Sequence, residues 1–590
     1  MLRGSVVAVV AALLLVVAPS ARTSGTPLIV GFADTLPEQN AAAGPAAQAL
    51  GASALRFTLQ WSSGRTALSP EELVALKRGA ASSQPLRILL SVYGTTSAPP
   101  VDDAGRAQYC AYVSDALRRV PSIRDVVLWN EPNKAQFWSP QAGAPAAYEA
   151  LLASCYDTLH ASFSGVNVLA FALSHDGNDD STSTSPGLFI RGVGDAYRAS
   201  GRAAPIFDTV AYQPYTLTNT ERPWVKHTGS SVIAEGDWNK LMYNLWLAFS
   251  GTQQPIPGSG GVTIWYTELG FQSAAPAEKS GIYSGAENVP ALPEVSAGDA
   301  VAHPADDSQA PDQATQVRDA IMLAACQPYV GAVFNFLLVD EPMLPAWQSG
   351  ALYADLTRKA STQAFVDAFA AASHGAVDCS SLKGGAPSSD FIPPTAPAKL
   401  AASATDGGHT LTLSWSAATD AQSALTYVIY RNGSEIGSSS RSTFSDTNVM
   451  AQRDYVYTVR ALDAASNLGP ESAPLEVTPA KAVPVSESAP RSTGTASTSR
   501  PKTVVRVHIV NGTRRADRLR GTAGNDVLRG LDGNDTLLGL GGHDTLLGGA
   551  GNDVIRARDG LRDVVDCGPG KDIANVDARD VVKHCELVRR

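Results

Sequence analysis

From Gly521 the chain repeats every nine residues without a gap: G-T-A-G-N-D-V-L-R, G-L-D-G-N-D-T-L-L, G-L-G-G-H-D-T-L-L and G-G-A-G-N-D-V-I-R, ending at Arg556. Each copy opens on a glycine suited to a tight turn, carries one Asp, and places one Leu or Ile two residues after it. A unit this short cannot bury its apolar residue alone. The period therefore dictates a stack of coils for this part of the chain, with neighbouring copies building a continuous core.

The four copies resemble the calcium-binding nonapeptides of RTX-type β-rolls. The resemblance implies that Leu528, Leu537, Leu546 and Ile555 point into the roll, while Asp526, Asp535, Asp544 and Asp553 supply hard oxygen ligands to calcium. Two nonads make one coil in that family, so each calcium should be shared by Asp residues two repeats apart, Asp526 with Asp544 and Asp535 with Asp553. Gly512 to Arg520 and Asp566 to Ala574 read as degenerate flanking copies, giving a module over 512–590 with a C-terminal cap. So short a roll is expected to need its metal to fold, and calcium is expected to be structural only.

The N-terminal two thirds follow another pattern. From Pro27 apolar strand candidates alternate with amphipathic helices, as in an α/β fold with a parallel sheet. The candidates are Leu28 to Phe32, Ala54 to Trp61, Arg87 to Tyr93, Asp125 to Trp129, Val166 to Leu173, Thr209 to Tyr215, Val262 to Thr267 and Ala332 to Val339. Eight such units predict a (β/α)8 TIM barrel over 27–380. The fourth, D-V-V-L-W-N-E-P-N, stops on Glu131, and the seventh, G-V-T-I-W-Y-T-E-L-G, runs onto Glu268. Barrels of this kind gather their chemistry at these strand ends.

The two stretches together resemble the retaining glycoside hydrolases of clan A, which carry catalytic Glu residues after strands four and seven. The resemblance implies that Glu268 is the nucleophile and Glu131 the acid/base, and that catalysis needs no cofactor. It also implies that Asn130 binds the sugar 2-hydroxyl, while Arg56 and Tyr215 hold Glu268 ionised and aligned. Double displacement of this type requires carboxyl groups roughly 5 to 5.5 Å apart and an acid that stays protonated near neutral pH. Gln213 stands where many relatives have His. The eighth strand lacks the Trp that relatives place there as a sugar platform, a part Trp347 or Trp61 could take. Asp340 and Glu341 read as solvated loop charges. The long loop from Phe271 to about Gln313 could form a lid and shows no sign of internal structure, and His175 faces the same rim.

After a linker rich in Gly, Ser and Pro over 381–397, period-two alternation predicts a β-sandwich over 398–479. Trp415 and the run Y-V-Y-T-V-R-A-L-D resemble a fibronectin type III domain, with Tyr455 as the tyrosine-corner residue. A Pro, Ser and Thr-rich stretch over 480–503 reads as a disordered linker.

A chain of 590 residues is too long for one core, and its net charge of -10 argues against a nucleic-acid partner. Residues 1–20, with Arg3 ahead of an apolar run and small residues at Ala18 and Ser20, read as a signal peptide. Export permits disulfides. The six cysteines suggest three local bridges, with free buried thiols as the alternative. The whole then reads as a secreted, monomeric, multidomain glycosidase acting on an oligo- or polysaccharide, in possible association with a cell surface or cell wall. A transglycosidase would share the same site. A non-catalytic adhesion or polysaccharide-binding protein with a degenerate barrel is the reading from another class.

Overall fold

The computed structural model describes residues 24–94, 98–287, 289–295, 311–383, 386–405, 409–421, 424–479, 508–512, 517–521, 526–539, 543–558, 561–577 and 579–589. The stretches expected to be a signal peptide and a disordered linker lie outside the described residues. Two compact units are present, one holding the barrel and the sandwich, the other the C-terminal repeats.

In the first unit eight strands close in sequence order into a barrel: β1 (Ile29–Ala33), β2 (Ala54–Trp61), β3 (Arg87–Gly94), β4 (Asp125–Leu128), β5 (Asn167–Ser174), β6 (Thr209–Gln213), β7 (Ile264–Leu269) and β8 (Val330–Phe336). All neighbours are parallel, β8 pairing back onto β1 with Val30 opposite Val333. Parallel strands require crossovers, and the sequence supplies them with firm helix starts. Ser69 and Glu72 form a reciprocal capping box ahead of Pro70–Ser82, and Asp102 and Asp312 cap Asp103–Arg119 and Gln313–Cys326. Small residues, Ala33, Ala54, Ala172, Ala211 and Ala332, leave room inside the barrel for Leu89, Val127, Leu169, Trp265 and Phe334.

The strand ends differ from expectation where the chemistry lies. β4 stops at Leu128, one residue short, because Trp129 takes φ 75° and Glu131 φ 39°, left-handed values that no strand accommodates. β5 bulges at Phe171 and Ala172, also at positive φ. The bulge aims the Ala172 carbonyl at the Glu131 N–H, 3.0 Å away. β7 runs through Glu268 rather than ending before it.

All six cysteines are paired, Cys110 with Cys155 and Cys326 with Cys379 in the barrel, and Cys567 with Cys585 in the repeats. The first joins helix Asp103–Arg119 to helix Ala144–Ser162, as adjacent barrel helices allow.

Two antiparallel sheets form the sandwich, one holding Ala398–Thr405, Thr410–Ser416 and Thr443–Asp446, the other centred on Thr426–Arg431 and Tyr455–Leu462. Leu411, Leu413, Trp415, Tyr427, Ile429, Tyr457 and Val459 fill the space between them. The Tyr455 hydroxyl accepts the Met450 N–H at 2.9 Å, the tyrosine corner of fibronectin type III folds. Asn239 Nδ2 donates to Asn467 Oδ1 at 2.6 Å and Lys226 Nζ to the Ala465 carbonyl at 2.9 Å, tying barrel to sandwich.

The second unit is a β-roll of two parallel sheets. Successive strands alternate between them, so Asp526–Asp532 pairs with Thr545–Ala550 in one sheet while Thr536–Leu538 pairs with Val554–Ala557 in the other. Two nonads therefore make one coil. Leu519, Leu528, Leu537, Leu546, Ile555, Val565 and Ala574 are buried between the sheets.

Candidate functional site

Arg56, on β2, is the organising residue at the barrel mouth. A guanidinium has only donors, and this one is buried with three acceptors around it. Nη1 pairs with Glu268 Oε1, while Nη2 donates to Asn130 Oδ1 and Ser91 Oγ, both at 3.1 Å. Tyr215, just past β6, donates its hydroxyl to the other oxygen, Glu268 Oε2, at 3.3 Å. Gln213, at the end of β6, donates Nε2 to Asn130 Oδ1 at 2.8 Å. Asn130, Arg56, Tyr215 and Glu268 thus form one connected group, drawn from β2 and from the segments at the ends of β4, β6 and β7.

Glu131 sits in a different setting. Burial pushes its carboxyl up to about 8, and the negative charge of Glu268 works in the same direction; Lys134 opposes it. Its loop is pinned by Asn133, whose Oδ1 accepts the Ser174 N–H at 3.0 Å and whose Nδ2 donates to the Ser174 carbonyl at 3.2 Å. Lys134 Nζ pairs with Asp176 Oδ1 at 2.5 Å. Two carboxyl groups therefore stand at one mouth in different settings, one pushed toward its protonated form by burial and the other paired with a guanidinium.

The rim was less legible. Trp347 packs against Tyr215 at 5.7 Å between ring centroids and against Phe336 at 5.2 Å, with 37% of its surface exposed. It offers an aromatic face beside the site. Trp61 does not: it is buried against Tyr109 and Trp129 and donates Nε1 to the Arg65 carbonyl. His175 lies 6.4 Å from the Tyr215 ring, and burial lowers its pKa. Asp340 is not a solvated charge but a buried partner of Lys359 at 2.7 Å, and it accepts the Tyr283 hydroxyl at 2.7 Å. Glu341 turns back on its own loop, accepting the Trp347 N–H at 2.9 Å. The loop behind Glu268 is likewise ordered where described: Ala277–Ile282 is a 3-10 helix, and Lys279 pairs with Asp355 at 2.8 Å. Ser91, Asn133, Lys134 and Asp176 were not anticipated, since each acts through a contact that sequence spacing does not reveal.

In the roll the Asp residues stack in two columns. The Asp526 N–H donates to Asp544 Oδ1 at 2.9 Å and the Asp535 N–H to Asp553 Oδ1 at 2.8 Å, the two-repeat spacing of the nonads. Both columns continue past the fourth nonad, from Asp544 to Asp563 and from Asp553 to Asp572. Asp553 Oδ2 and Asp572 Oδ2 are buried with no hydrogen-bond partner among the described residues. A methyl group added at Gly548 would lie 2.4 Å from both Asp553 Oδ2 and the Cys567 carbonyl, so the backbone hugs this oxygen. Hard, anionic, unpartnered oxygens fit calcium. A family model described as the RTX calcium-binding nonapeptide repeat matches 511–546 and 538–561. Residues 511–561 are RTX repeats.

The other likenesses are partial. The chain is 40% identical over 101 residues to Exoglucanase B of Cellulomonas fimi, covering 17% of this chain and 9% of that protein. It is 41% identical over 96 residues to Chitinase Chi52 of Paenibacillus xylanexedens, 16% of this chain and 18% of that one. The chain thus spans less than a fifth of the length of these curated relatives. Among solved structures, a GH5_18 protein from Streptomyces cattleya in complex with GlcNAc aligns with TM-score 0.38 and 14% identity, over 59% of this chain and 81% of that one.

Proposed function

We propose that the barrel is a glycoside hydrolase that cleaves β-linked sugars of an extracellular oligo- or polysaccharide with retention of configuration. The observation that carries the reading is the contrast between Glu131, whose buried carboxyl is pushed up, and Glu268, which is paired with Arg56 and Tyr215 at the mouth of the same barrel, the contrast expected between an acid and a nucleophile. Glu268, paired with Arg56 and held by Tyr215, attacks the anomeric carbon while Glu131 protonates the departing oxygen. Glu131 then takes a proton from water, which hydrolyses the glycosyl-enzyme. Asn130 offers Nδ2 to the sugar beside the nucleophile, and Trp347 a face for its apolar side.

Three disulfides support an oxidising, extracellular setting. Among the described residues no helix is long and apolar enough to cross a membrane. In the RTX repeats Asp526, Asp535, Asp544 and Asp553 would hold calcium, which supplies positive charge between stacked carboxylates and so stability outside the cell.

The test is a panel of aryl β-glycosides with the released anomer followed by NMR, run beside Glu268→Gln. Retained configuration and a loss of about 10⁴-fold or more in the variant are expected. Inverted product would remove Glu268 as nucleophile, and silence across aryl glycosides and short oligosaccharides would overturn the glycosidase reading.

A further inference from the structure

Gln213 is fully buried at the end of β6, and its two amide atoms are treated unequally. Nε2 donates to Asn130 Oδ1, whereas Oε1 is buried with no partner among the described residues. An orphaned buried acceptor is costly, and few are kept without a reason.

The reason lies in Arg56. Because the guanidinium can only donate, the Asn130 atom facing Nη2 must be the carbonyl oxygen. The Gln213 atom facing that oxygen must then be the amide nitrogen. Reversing either amide would set donor against donor or acceptor against acceptor. The polarity of the chain Arg56, Asn130, Gln213 is therefore fixed from one end, and Oε1 is left over at the other.

A single bond from Arg56 would let the Asn130 amide pivot about its own side-chain axis. A second donor to the same oxygen, from another strand, fixes its plane. That leaves Asn130 Nδ2 with no hydrogen-bond partner among the described residues, next to Glu131 in sequence and joined to Glu268 through one guanidinium. The substituent nearest an anomeric carbon attacked by Glu268 is that on C2.

We propose that Gln213 is a positioning residue: by donating to Asn130 Oδ1 it aims Asn130 Nδ2 at an acceptor on C2 of the substrate, and it accepts an orphaned Oε1 in return. The proposal rests on the glycosidase reading. It also explains how a neutral amide serves in this place: the lock does not titrate.

The test compares wild type, Gln213→Met and Gln213→Glu on the best aryl β-glycoside of the panel and on its 2-deoxy counterpart. Gln213→Met keeps the volume but loses the donor, and with it the orphaned acceptor. Its kcat/KM should fall about 10- to 100-fold on the 2-hydroxy substrate and less than about twofold on the 2-deoxy one, with Tm unchanged or raised. Gln213→Glu should lose activity progressively as its carboxyl ionises and stops donating, so its deficit against wild type should widen with pH on the 2-hydroxy substrate alone. Equal losses on both substrates would make Gln213 a merely structural residue, and no loss in either variant would remove the role altogether. A wild type silent on every glycoside would instead overturn the glycosidase reading, and this proposal with it.

Discussion

Glu131 stands between charges of opposite sign. Glu268 raises its pKa and Lys134 lowers it, while burial dominates both and carries the group to about 8. A general acid must be protonated to act, so kcat/KM should fall as pH rises through about 8. Lys134→Met removes the charge that favours the ionised form and leaves Asp176, which acts with Glu268, without its counter-charge. Both changes favour the protonated acid. The alkaline limb of the pH–rate profile should therefore move up, by roughly one unit, and a limb that stayed in place would show that Lys134 does not act on Glu131. Asp176→Asn should shift it the other way. At this scale the sequence was readable wherever a residue's place followed from its strand: Glu131 and Glu268 terminate apolar runs, Arg56 lies within β2 and Tyr215 just past β6. Lys134 and Asp176 were not readable. They are 42 residues apart, on two loops whose meeting depends on how Asn133 and the β5 bulge bring them together.

At the scale of elements, periodicity located the eight strands but not their ends. Trp129 belongs to an apolar run, yet its left-handed backbone ends β4, a choice made by packing against Trp61, Tyr109 and Trp138 rather than by propensity. The loop behind Glu268 looked unstructured because its anchors, Asp340 with Tyr283 and Lys359, are supplied by distant segments. The roll shows the same boundary. Its nonads announce themselves while the coil length stays at 18 residues, but Asp544 to Asp563 and Asp553 to Asp572 span 19, and glycines thin out. The columns of carboxylates nevertheless persist, since the inward apolar residues Val565 and Ala574 keep the register. Asp553 lies where consensus and continued coils meet. Asp553→Asn replaces its unpartnered anionic oxygen with a neutral amide, so the calcium concentration at the midpoint of roll folding, followed by circular dichroism, should rise at least about tenfold. An unchanged midpoint would place the metal elsewhere.

At the scale of the whole molecule, two units with separate cores should unfold separately. The barrel core and the roll core are distinct apolar clusters. Barrel and sandwich, by contrast, belong to one unit, held together by Asn239 with Asn467 and by Lys226 with the Ala465 carbonyl. Calcium should bear on the second unit, because the RTX repeats lie there, and without it the stacked carboxylates repel one another in buried positions. A ligand that binds only the folded form raises the stability of the unit it binds. Calorimetry of the full chain should therefore show two transitions in calcium. A chelator should abolish the roll transition or lower it markedly, and should move the barrel and sandwich transition by less than about 1 °C, the scale of a change of about 1 kcal/mol in a unit of this size. Glycosidase activity in the chelator should match that in calcium. Both transitions falling together would mean that the roll supports the barrel, and a drop in activity with no change in either transition would mean that a divalent cation acts at the barrel mouth itself.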